Sequence, residues 1–296
     1  MKFILLIIFL IAMVFTPKSS IGAKMVILSF DDSTLGQYTA ARPILDKYGF
    51  KGTFFTVCNF IGTTGHMNWA QINTLQKEGH DIESHSMDHK HLSKLSDVEL
   101  QYEIGQSRQC LANHGIRSTI FAYPFADGSN KPAIVNMTSK YYTLARAGDD
   151  PIQSLESVNR YSIHALTQSG HKDSDKFTTF VENVNRANST AFASIKFHTI
   201  VNGTNSKGKI STSSQLFEQE MKYLHNNGFK VIRMSDLGFS PTNDMLYVKR
   251  DHNIVNVRSL QHEDLDQEYK KWHYFSSSTA NDADHSFSKS VTSGLS

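Results

Sequence analysis

The chain has 296 residues, with 30 Lys and Arg against 28 Asp and Glu, so its formal net charge is +2. A nearly balanced charge offers no concentrated basic surface for phosphate groups, so nucleic acid is not expected as a partner. Hydrophobic residues make up 39% of the chain, which is enough to bury a sizeable core in one large α/β domain or two small ones.

The N-terminal segment, residues 1–23, predicts a secretory signal peptide. Met1 and Lys2 precede an unbroken apolar run from Phe3 to Phe15. This run is shorter than the roughly 20 residues that cross a bilayer. We expect cleavage near Ala23, with an uncleaved N-terminal anchor as the alternative. The protein is then secreted or extracytoplasmic, and membrane association is expected only through this segment.

From residue 24 to about residue 240, short apolar runs alternate with longer amphipathic segments. The predicted strands are Met25–Phe30, Thr53–Val57, Asp81–Ser84, Thr119–Tyr123, Thr143–Ala145, Phe192–Phe197 and Lys230–Arg233. The predicted helices are Tyr38–Tyr48, Trp69–Lys77, a long helix from a capping box at Ser96 and Glu99 to Asn113, and Ser214–Asn226. Such alternation favours βαβ units and a parallel sheet, and about seven strands suit a barrel better than an open sheet.

The pattern changes after Gly238. Residues 246–248 and 254–257 predict a hairpin within a C-terminal extension, residues 241–275. The segment 276–296 is rich in small polar residues and is expected to be disordered. Cys58 and Cys110 leave two interpretations open, one disulfide or two buried thiols, and their spacing does not fit a cysteine zinc site.

Polar motifs follow several predicted strands, at the end of a barrel where chemistry takes place. Asp31 and Asp32 come directly after the first strand. One of two adjacent carboxylates can bind a metal while the other faces a water molecule, although Asp is also common in turns and caps. His85 and His89 follow the third strand, and their spacing places both on one face of a helical turn, where they can share a metal. His91 lies off that face.

Two further motifs follow later strands. The segment 121–128 contains Pro124 between aromatic residues, which predicts a stiff loop that forms a groove wall with one backbone amide facing inward; an ordinary loop is the alternative. His198 follows the strand Phe192–Phe197 and is well placed for proton transfer, although a buried structural histidine is commoner. If none of these motifs were functional, four independent structural explanations would have to coincide at the same end of one barrel.

Together these motifs resemble those of the polysaccharide deacetylases, the NodB-homology carbohydrate esterase family, over about residues 24–238. The matching segments are SFDD at 29–32, HSMDH at 85–89, FAYPFA at 121–126 and KFH at 196–198. The first two are specific and the last two are supportive. The resemblance implies an α/β fold, a distorted (β/α) barrel of about seven parallel strands of the NodB-homology type.

The resemblance also implies roles for the motif residues. Asp31 corresponds to the catalytic base and His198 to the general acid. Asp32, His85 and His89 correspond to the ligands of one divalent metal, for which we expect Zn²⁺.

The loop after the fourth strand carries the remaining implied roles. Tyr123, Pro124 and Phe125 are expected to contact the substrate or its oxyanion. This loop departs from the family pattern, because the usual Arg is Ala122 here. The candidate replacement for that Arg is Arg146, and the candidates for a carboxylate that orients the catalytic histidine are Asp149 and Asp150.

The resemblance predicts a hydrolase that removes N-acetyl groups from the amino sugars of a polysaccharide or oligosaccharide. Two alternatives use the same barrel. One is an O-acetyl esterase or a small-amide hydrolase, and the other is a non-catalytic glycan-binding barrel.

Overall fold

The computed structural model describes residues 24–242 and 245–249. The predictions for the N-terminal segment, for residues 254–257 and for the tail from residue 276 lie outside the described residues. Within the described ranges, no helix has the length and apolar character that crossing a membrane requires.

The described residues form thirteen strands and seven α-helices. The strands are β1 (Met25–Phe30), β2 (Thr53–Thr56), β3 (Asp81–Ser84), β4 (Ile120–Ala122), β5 (Leu144–Arg146), β6 (Ile152–Ser154), β7 (Leu166–Thr167), β8 (Ala191–Phe197), β9 (Thr199–Val201), β10 (Ser211–Ser213), β11 (Lys230–Ile232), β12 (Leu237–Ser240) and β13 (Met245–Val248). The α-helices are α1 (Arg42–Lys47), α2 (Trp69–Lys77), α3 (Asp97–Leu100), α4 (Ser107–Ala112), α5 (Pro132–Tyr141), α6 (Asp173–Val184) and α7 (Ser214–Asn226).

The central sheet is mainly parallel, as predicted. Its strands follow the order β5-β4-β3-β2-β1-β8, and β11 runs parallel to the first half of β1. On the far edge of β8, β6 pairs antiparallel and β7 pairs parallel. The predicted barrel of about seven parallel strands is therefore confirmed, with the antiparallel β6 as an addition.

The chain between β6 and β8 closes the distorted barrel. Ala145 of β5 donates its N–H to the carbonyl of Arg160 (2.8 Å), and Ala147 donates to the carbonyl of Ile163 (2.7 Å). A few residues later, Leu166 pairs with Ile195 of β8. One irregular segment thus bridges the two ends of the sheet.

Alternation along the strands separates two cores. In β1, Val26, Leu28 and Phe30 pack in the cluster that includes residues of the outer helices. Met25 and Ile27 belong to the cluster inside the barrel. Successive side chains point to opposite faces of a strand, and a parallel sheet covered by helices is buried on both faces. Every residue of β1 is accordingly buried.

The long predicted helix after Ser96 is continuous, because α3 and α4 are joined by a π-helical segment, Gln101–Gln106. Ser96 and Glu99 form the predicted capping box at its start. A second π-helical segment, Gln37–Ala41, leads into α1. Beyond the barrel, β13 pairs antiparallel with β12, so the hairpin seen in the described residues uses an earlier partner strand than the one predicted.

Cys58 and Cys110 form a disulfide, which resolves the alternatives left open by the sequence. The bond joins the short turn after β2 to α4. The same turn is hydrogen bonded to the HSMDH loop: Cys58 donates its N–H to Ser86 O (3.2 Å) and Asn59 donates to Met87 O (3.0 Å). The disulfide therefore ties this loop indirectly to the long helix.

Replacing both cysteines by serine is expected to lower the free energy of unfolding by about 2–4 kcal/mol, because the unfolded chain gains the freedom of a large opened loop. Denaturant unfolding of the double variant and of the unmodified protein measures this difference. The unmodified protein under reducing conditions is the control and should match the variant. Equal stability of all three samples would contradict the prediction.

Candidate active site

The interior face of the barrel continues past the strand ends and presents a set of polar side chains. In β1, Met25 and Ile27 face inward, so Asp31 continues the same alternation. The same parity holds for Arg146 after Leu144 in β5. In β8 the inward residue Phe192 sets the parity for Lys196 and His198, and in β3 Ile82 packs on the outer core, which leaves His85 on the inner side. Strand geometry alone thus brings these groups to one mouth of the barrel.

Asp32, His85 and His89 meet at this mouth. Asp32 Oδ1 lies 3.6 Å from His85 Nε2 and 3.3 Å from His89 Nε2, and the two Nε2 atoms are 3.2 Å apart. The predicted helical turn is wrong. Ser86 and His89 have φ values of 72° and 58°, so the chain bends through two left-handed residues to bring the imidazoles together. Left-handed backbone at a non-glycine residue costs on the order of 1–3 kcal/mol and is concentrated at functional sites.

The two imidazoles are prepared to act as ligands. His85 Nδ1 is hydrogen bonded to the carbonyl of Ala122 (2.8 Å). A carbonyl only accepts, so Nδ1 carries the proton and Nε2 keeps its lone pair. Burial lowers the pKa of His85 to about 3 and also lowers the pKa of His89. Both rings are therefore neutral near pH 7.

Asp32 completes the group. Burial, reinforced by repulsion from the Asp31 carboxylate, raises the pKa of Asp32 to about 6. Within the described part of the chain, its buried Oδ1 has no hydrogen-bond partner. The Asp32 oxygen and the Nε2 lone pair of His85 thus face each other with His89 Nε2 beside them, which is unfavourable unless a proton or a cation lies between them.

The spacing fits a tetrahedral cation. Zinc binds histidine nitrogen and carboxylate oxygen at about 2.0–2.2 Å, so two ligand atoms on a tetrahedral zinc lie about 3.3 Å apart. The observed separations are 3.2, 3.3 and 3.6 Å. The residues present therefore fit a divalent metal that Asp32, His85 and His89 would hold.

Asp31 lies beside this group but has a different partner. Its Oδ2 accepts a hydrogen bond from Arg146 (2.6 Å), and both side chains are buried. Burial acts to raise the pKa of Asp31, but the cationic Arg146 and weaker contributions from His85 and His198 outweigh it, so this pKa lies well below its ordinary value. Asp31 Oδ1 has no hydrogen-bond partner among the described residues. Arg146, the candidate replacement for the missing loop arginine, is thus the cation that contacts Asp31.

His198 faces the same carboxylate. Its Nε2 lies 3.9 Å from Asp31 Oδ2, and no hydrogen bond from the described residues reaches its buried Nδ1. The prediction that Asp149 or Asp150 orients this ring is wrong. Asp149 pairs with Lys196 (3.0 Å) and Asp150 accepts a hydrogen bond from the backbone of Ile152.

Lys196 is a site residue that the sequence analysis did not single out. It is 7% exposed, and its charge contributes to the low pKa of Asp31. The sequence spacing could have indicated this position, because Lys196 and His198 are two residues apart and so share a face of one strand.

The loop after β4 is only partly as predicted. Tyr123 is 2% exposed and packs in an outer core cluster against Phe121, and Pro124 is also buried. These two side chains do not line a groove, so the prediction of substrate contact is wrong for them as side chains. Phe125 is 58% exposed and has a left-handed backbone (φ 57°). Its ring lies 4.5 Å from that of His89.

An open cleft adjoins the metal-ligand group through Phe125. The cleft has a volume of about 610 Å³, and its lining includes His91, Phe125, Asp127, Asn130, Ser162 and His164. His91 stacks on Phe125, with ring centroids 4.1 Å apart, and is not part of the ligand group. The preference for His89 over His91 as a ligand agrees with this arrangement.

A second group of potential ligand atoms, from Asp46, Glu78 and His80, does not fit a metal. His80 Nδ1 accepts the N–H of Gly52 (3.0 Å), and burial lowers the pKa of this ring to about 4. The neutral ring therefore carries its proton on Nε2, which cannot then bind a cation. Glu78 is already paired with Arg42.

Comparison with known proteins supports the resemblance to polysaccharide deacetylases. Residues 18–142 match the sequence model of the polysaccharide deacetylase family. YxkH of Bacillus subtilis strain 168, which its name assigns to the polysaccharide deacetylases, is 26% identical over 174 residues, covering 58% of this chain and 62% of YxkH. Chitin deacetylase of Arthroderma benhamiae is 33% identical over 125 residues, covering 40% of this chain and 32% of the relative. The chain thus spans less than two thirds of either relative.

A solved structure described as "T48 deacetylase with substrate" has the same fold. It superposes with a TM-score of 0.52 at 19% identity, covering 72% of this chain and 89% of that chain. Fold and site together define a (β/α) barrel with a candidate metal centre at the carboxyl ends of its strands. The predicted resemblance is confirmed, because residues 18–142 match the model of the polysaccharide deacetylase family.

The affinity of the metal-free protein for Zn²⁺ is expected to rise about tenfold from pH 5 to pH 7. Asp32, with a pKa of about 6, must lose its proton to bind a cation, whereas His85, with a pKa of about 3, is neutral across this range. Competition with a chromophoric chelator measures the affinity, and His85→Ala is the control that should not bind. An affinity that is flat or falls as the pH rises would contradict this assignment.

Proposed function

We propose that this protein is a metal-dependent hydrolase that removes N-acetyl groups from the amino sugars of an extracellular polysaccharide. The observation that carries the proposal is the meeting of Asp32, His85 and His89 beside the ionised carboxylate of Asp31. Two imidazoles and one carboxylate, with a further position left open, form the donor set of a catalytic zinc site.

In this proposal, Asp32, His85 and His89 would hold the metal. When bound there, a divalent cation such as Zn²⁺ supplies Lewis acidity, which makes water easier to deprotonate and polarises an acetamide carbonyl. The remaining steps belong to the protein's own side chains.

Asp31 is the base. Arg146 keeps it ionised over the whole physiological pH range, and its Oδ1 is available to accept a proton. As water adds to the carbonyl carbon of the substrate, its proton passes to Asp31. Arg146 also holds the carboxylate in one orientation, so the proton acceptor is already positioned when water adds.

His198 is the acid. Its Nε2 is 3.9 Å from Asp31 Oδ2, which supports a single site for both proton transfers. When the carbon–nitrogen bond breaks, His198 gives its proton to the departing sugar nitrogen, and the products are acetate and a free amine. The backbone N–H of Phe125, in the left-handed loop above His89, is the proposed donor to the oxyanion.

The cleft beside the ligand group supports a saccharide substrate. An exposed aromatic ring at Phe125 offers an apolar face for a sugar ring, and Asp127, Asn130 and Ser162 offer polar groups for hydroxyls. The sequence similarity to a chitin deacetylase favours an N-acetylated polymer over an O-acetylated one.

One observation weighs against a non-catalytic glycan-binding barrel. The family's loop arginine is absent at Ala122, yet Arg146 from the neighbouring strand β5 contacts Asp31 at 2.6 Å. Burying an arginine and a carboxylate together carries a large desolvation penalty. A barrel that only binds glycans has no need for such a buried pair at this position.

We also propose a secreted or extracytoplasmic location, with the N-terminal segment as signal peptide or anchor. The Cys58–Cys110 disulfide supports an oxidising compartment.

Asp31→Asn is expected to lower the rate of acetate release by about 10²- to 10⁴-fold, because the amide cannot take a proton, while the metal content stays the same. Acetate released from chitin oligomers, peptidoglycan and acetylxylan gives the rate and the substrate class. Asp150→Asn is the matched control, since this exposed acid caps only the backbone of Ile152.

Three outcomes would count against the proposal. Full activity of Asp31→Asn would overturn the assignment of the base. Release from acetylxylan alone would replace N-deacetylation by ester hydrolysis. Absence of both metal and acetate release in the unmodified protein would leave the glycan-binding alternative.

A further inference from the structure

Glu103 is a fully buried carboxylate that the proposed mechanism does not use. It lies on the π-helical segment Gln101–Gln106 and is 0% exposed. A charge in such a place is rare unless it has specific partners. Single π turns within helices are frequent at functional sites.

The partners of Glu103 lie in the HSMDH loop. Its Oε2 accepts hydrogen bonds from the backbone N–H groups of Met87 (3.1 Å) and Asp88 (2.9 Å). Its Oε1 is 3.7 Å from the ammonium of Lys90. One carboxylate thus contacts three of the four residues from Met87 to Lys90, and the fourth is His89.

This loop depends on support from outside. Its left-handed residues, Ser86 and His89, turn the chain so that both imidazoles face Asp32. The carbonyls of Ser86 and Met87 accept from the turn at Cys58, and the N–H groups of Met87 and Asp88 donate to Glu103. The loop is therefore held from both sides.

The two supports are connected to each other. Cys58, in the turn that binds the carbonyls, is bonded to Cys110 of the helix that carries Glu103. The helix 97–112 thereby forms a single platform for the loop. Nothing in the ligand motif itself requires a glutamate at this position of that helix.

We propose that Glu103 is a positioning residue for the cation site: its carboxylate fixes the HSMDH loop so that His89 faces Asp32 and His85, and its negative charge favours a cation there. This inference rests on the proposed function, because it requires that the site bind a metal. Groups that orient metal ligands from outside typically change metal affinity by about 10- to 100-fold when mutated.

The test is the dissociation constant of Zn²⁺ for Glu103→Gln, measured by chelator competition on metal-free protein. A carboxamide must turn its NH₂ group either toward the two backbone donors or toward Lys90, so the loop loses its fit. We expect about 10- to 100-fold weaker binding. Glu99→Gln is the matched control, because Glu99 lies on the same helix, is exposed and caps only Ser96, and its affinity should equal that of the unmodified protein.

The outcomes separate this inference from the proposed function. If the unmodified protein binds Zn²⁺ and Glu103→Gln binds it equally well, Glu103 has no positioning role, whatever its effect on the unfolding temperature. If the unmodified protein binds no metal, the proposed function and this inference both fail. Should Glu103→Gln not fold, Glu103→Asp decides: it keeps the charge but is too short to reach both amides, so weaker binding supports the role and unchanged binding overturns it.

Discussion

Two adjacent carboxylates, the buried Asp31 and the partly buried Asp32, lie at the mouth of this barrel and need positive charge nearby. Of these two acids, only Asp31 forms an ion pair with a permanently charged side chain among the described residues. Arg146 pairs with Asp31 at 2.6 Å and keeps it ionised, while Asp32 receives two neutral imidazoles and a raised pKa. The same local electrostatics thus separates the two acids into one that stays ionised and one whose raised pKa lets it take up a proton more easily. The proposed chemistry follows from that difference.

The site is built by two different structural means. Asp31, Arg146, Lys196 and His198 lie on the inward face of strands whose alternation continues through the core, so the sheet itself sets their directions. Asp32 and His89 instead have left-handed backbones. Their directions depend on contacts from neighbouring loops and from the helix 97–112. The sheet sets the placement of the first group, whereas the placement of the second group depends on those neighbouring contacts.

Most of the fold was predictable from the sequence, since long apolar runs and capping signals mark the buried strands and helices. The helix from Ser96 and the boundaries of α2 and α7 agree with the prediction. Helices α5 and α6 were both missed, although Phe177, Phe180, Val181 and Val184 of α6 have helical spacing. The short strands β6 and β7 carry no periodic signal, because two or three residues are too few to show one.

The sequence indicated most of the residues that meet at the candidate site, but it did not indicate how the backbone arranges them. The prediction for His85 and His89 assumed a helical turn, whereas left-handed residues bring them together. Spacing cannot reveal a positive φ at serine or histidine, because those residues do not require it. Tyr123 was expected at the groove because it sits in a loop motif, yet its ring completes the packing of an outer core cluster. The partner of Asp31 comes from a strand more than a hundred residues away, which only the barrel topology brings near.

The central claim is that Asp32, His85 and His89 share one cation. Diffraction from zinc-soaked crystals, recorded on both sides of the zinc absorption edge, tests it most directly. A cation shared by these side chains gives a single strong anomalous peak within about 2.0–2.2 Å of one oxygen of Asp32 and of Nε2 of both histidines. The absence of a peak there, or a peak bound by other side chains, would contradict it.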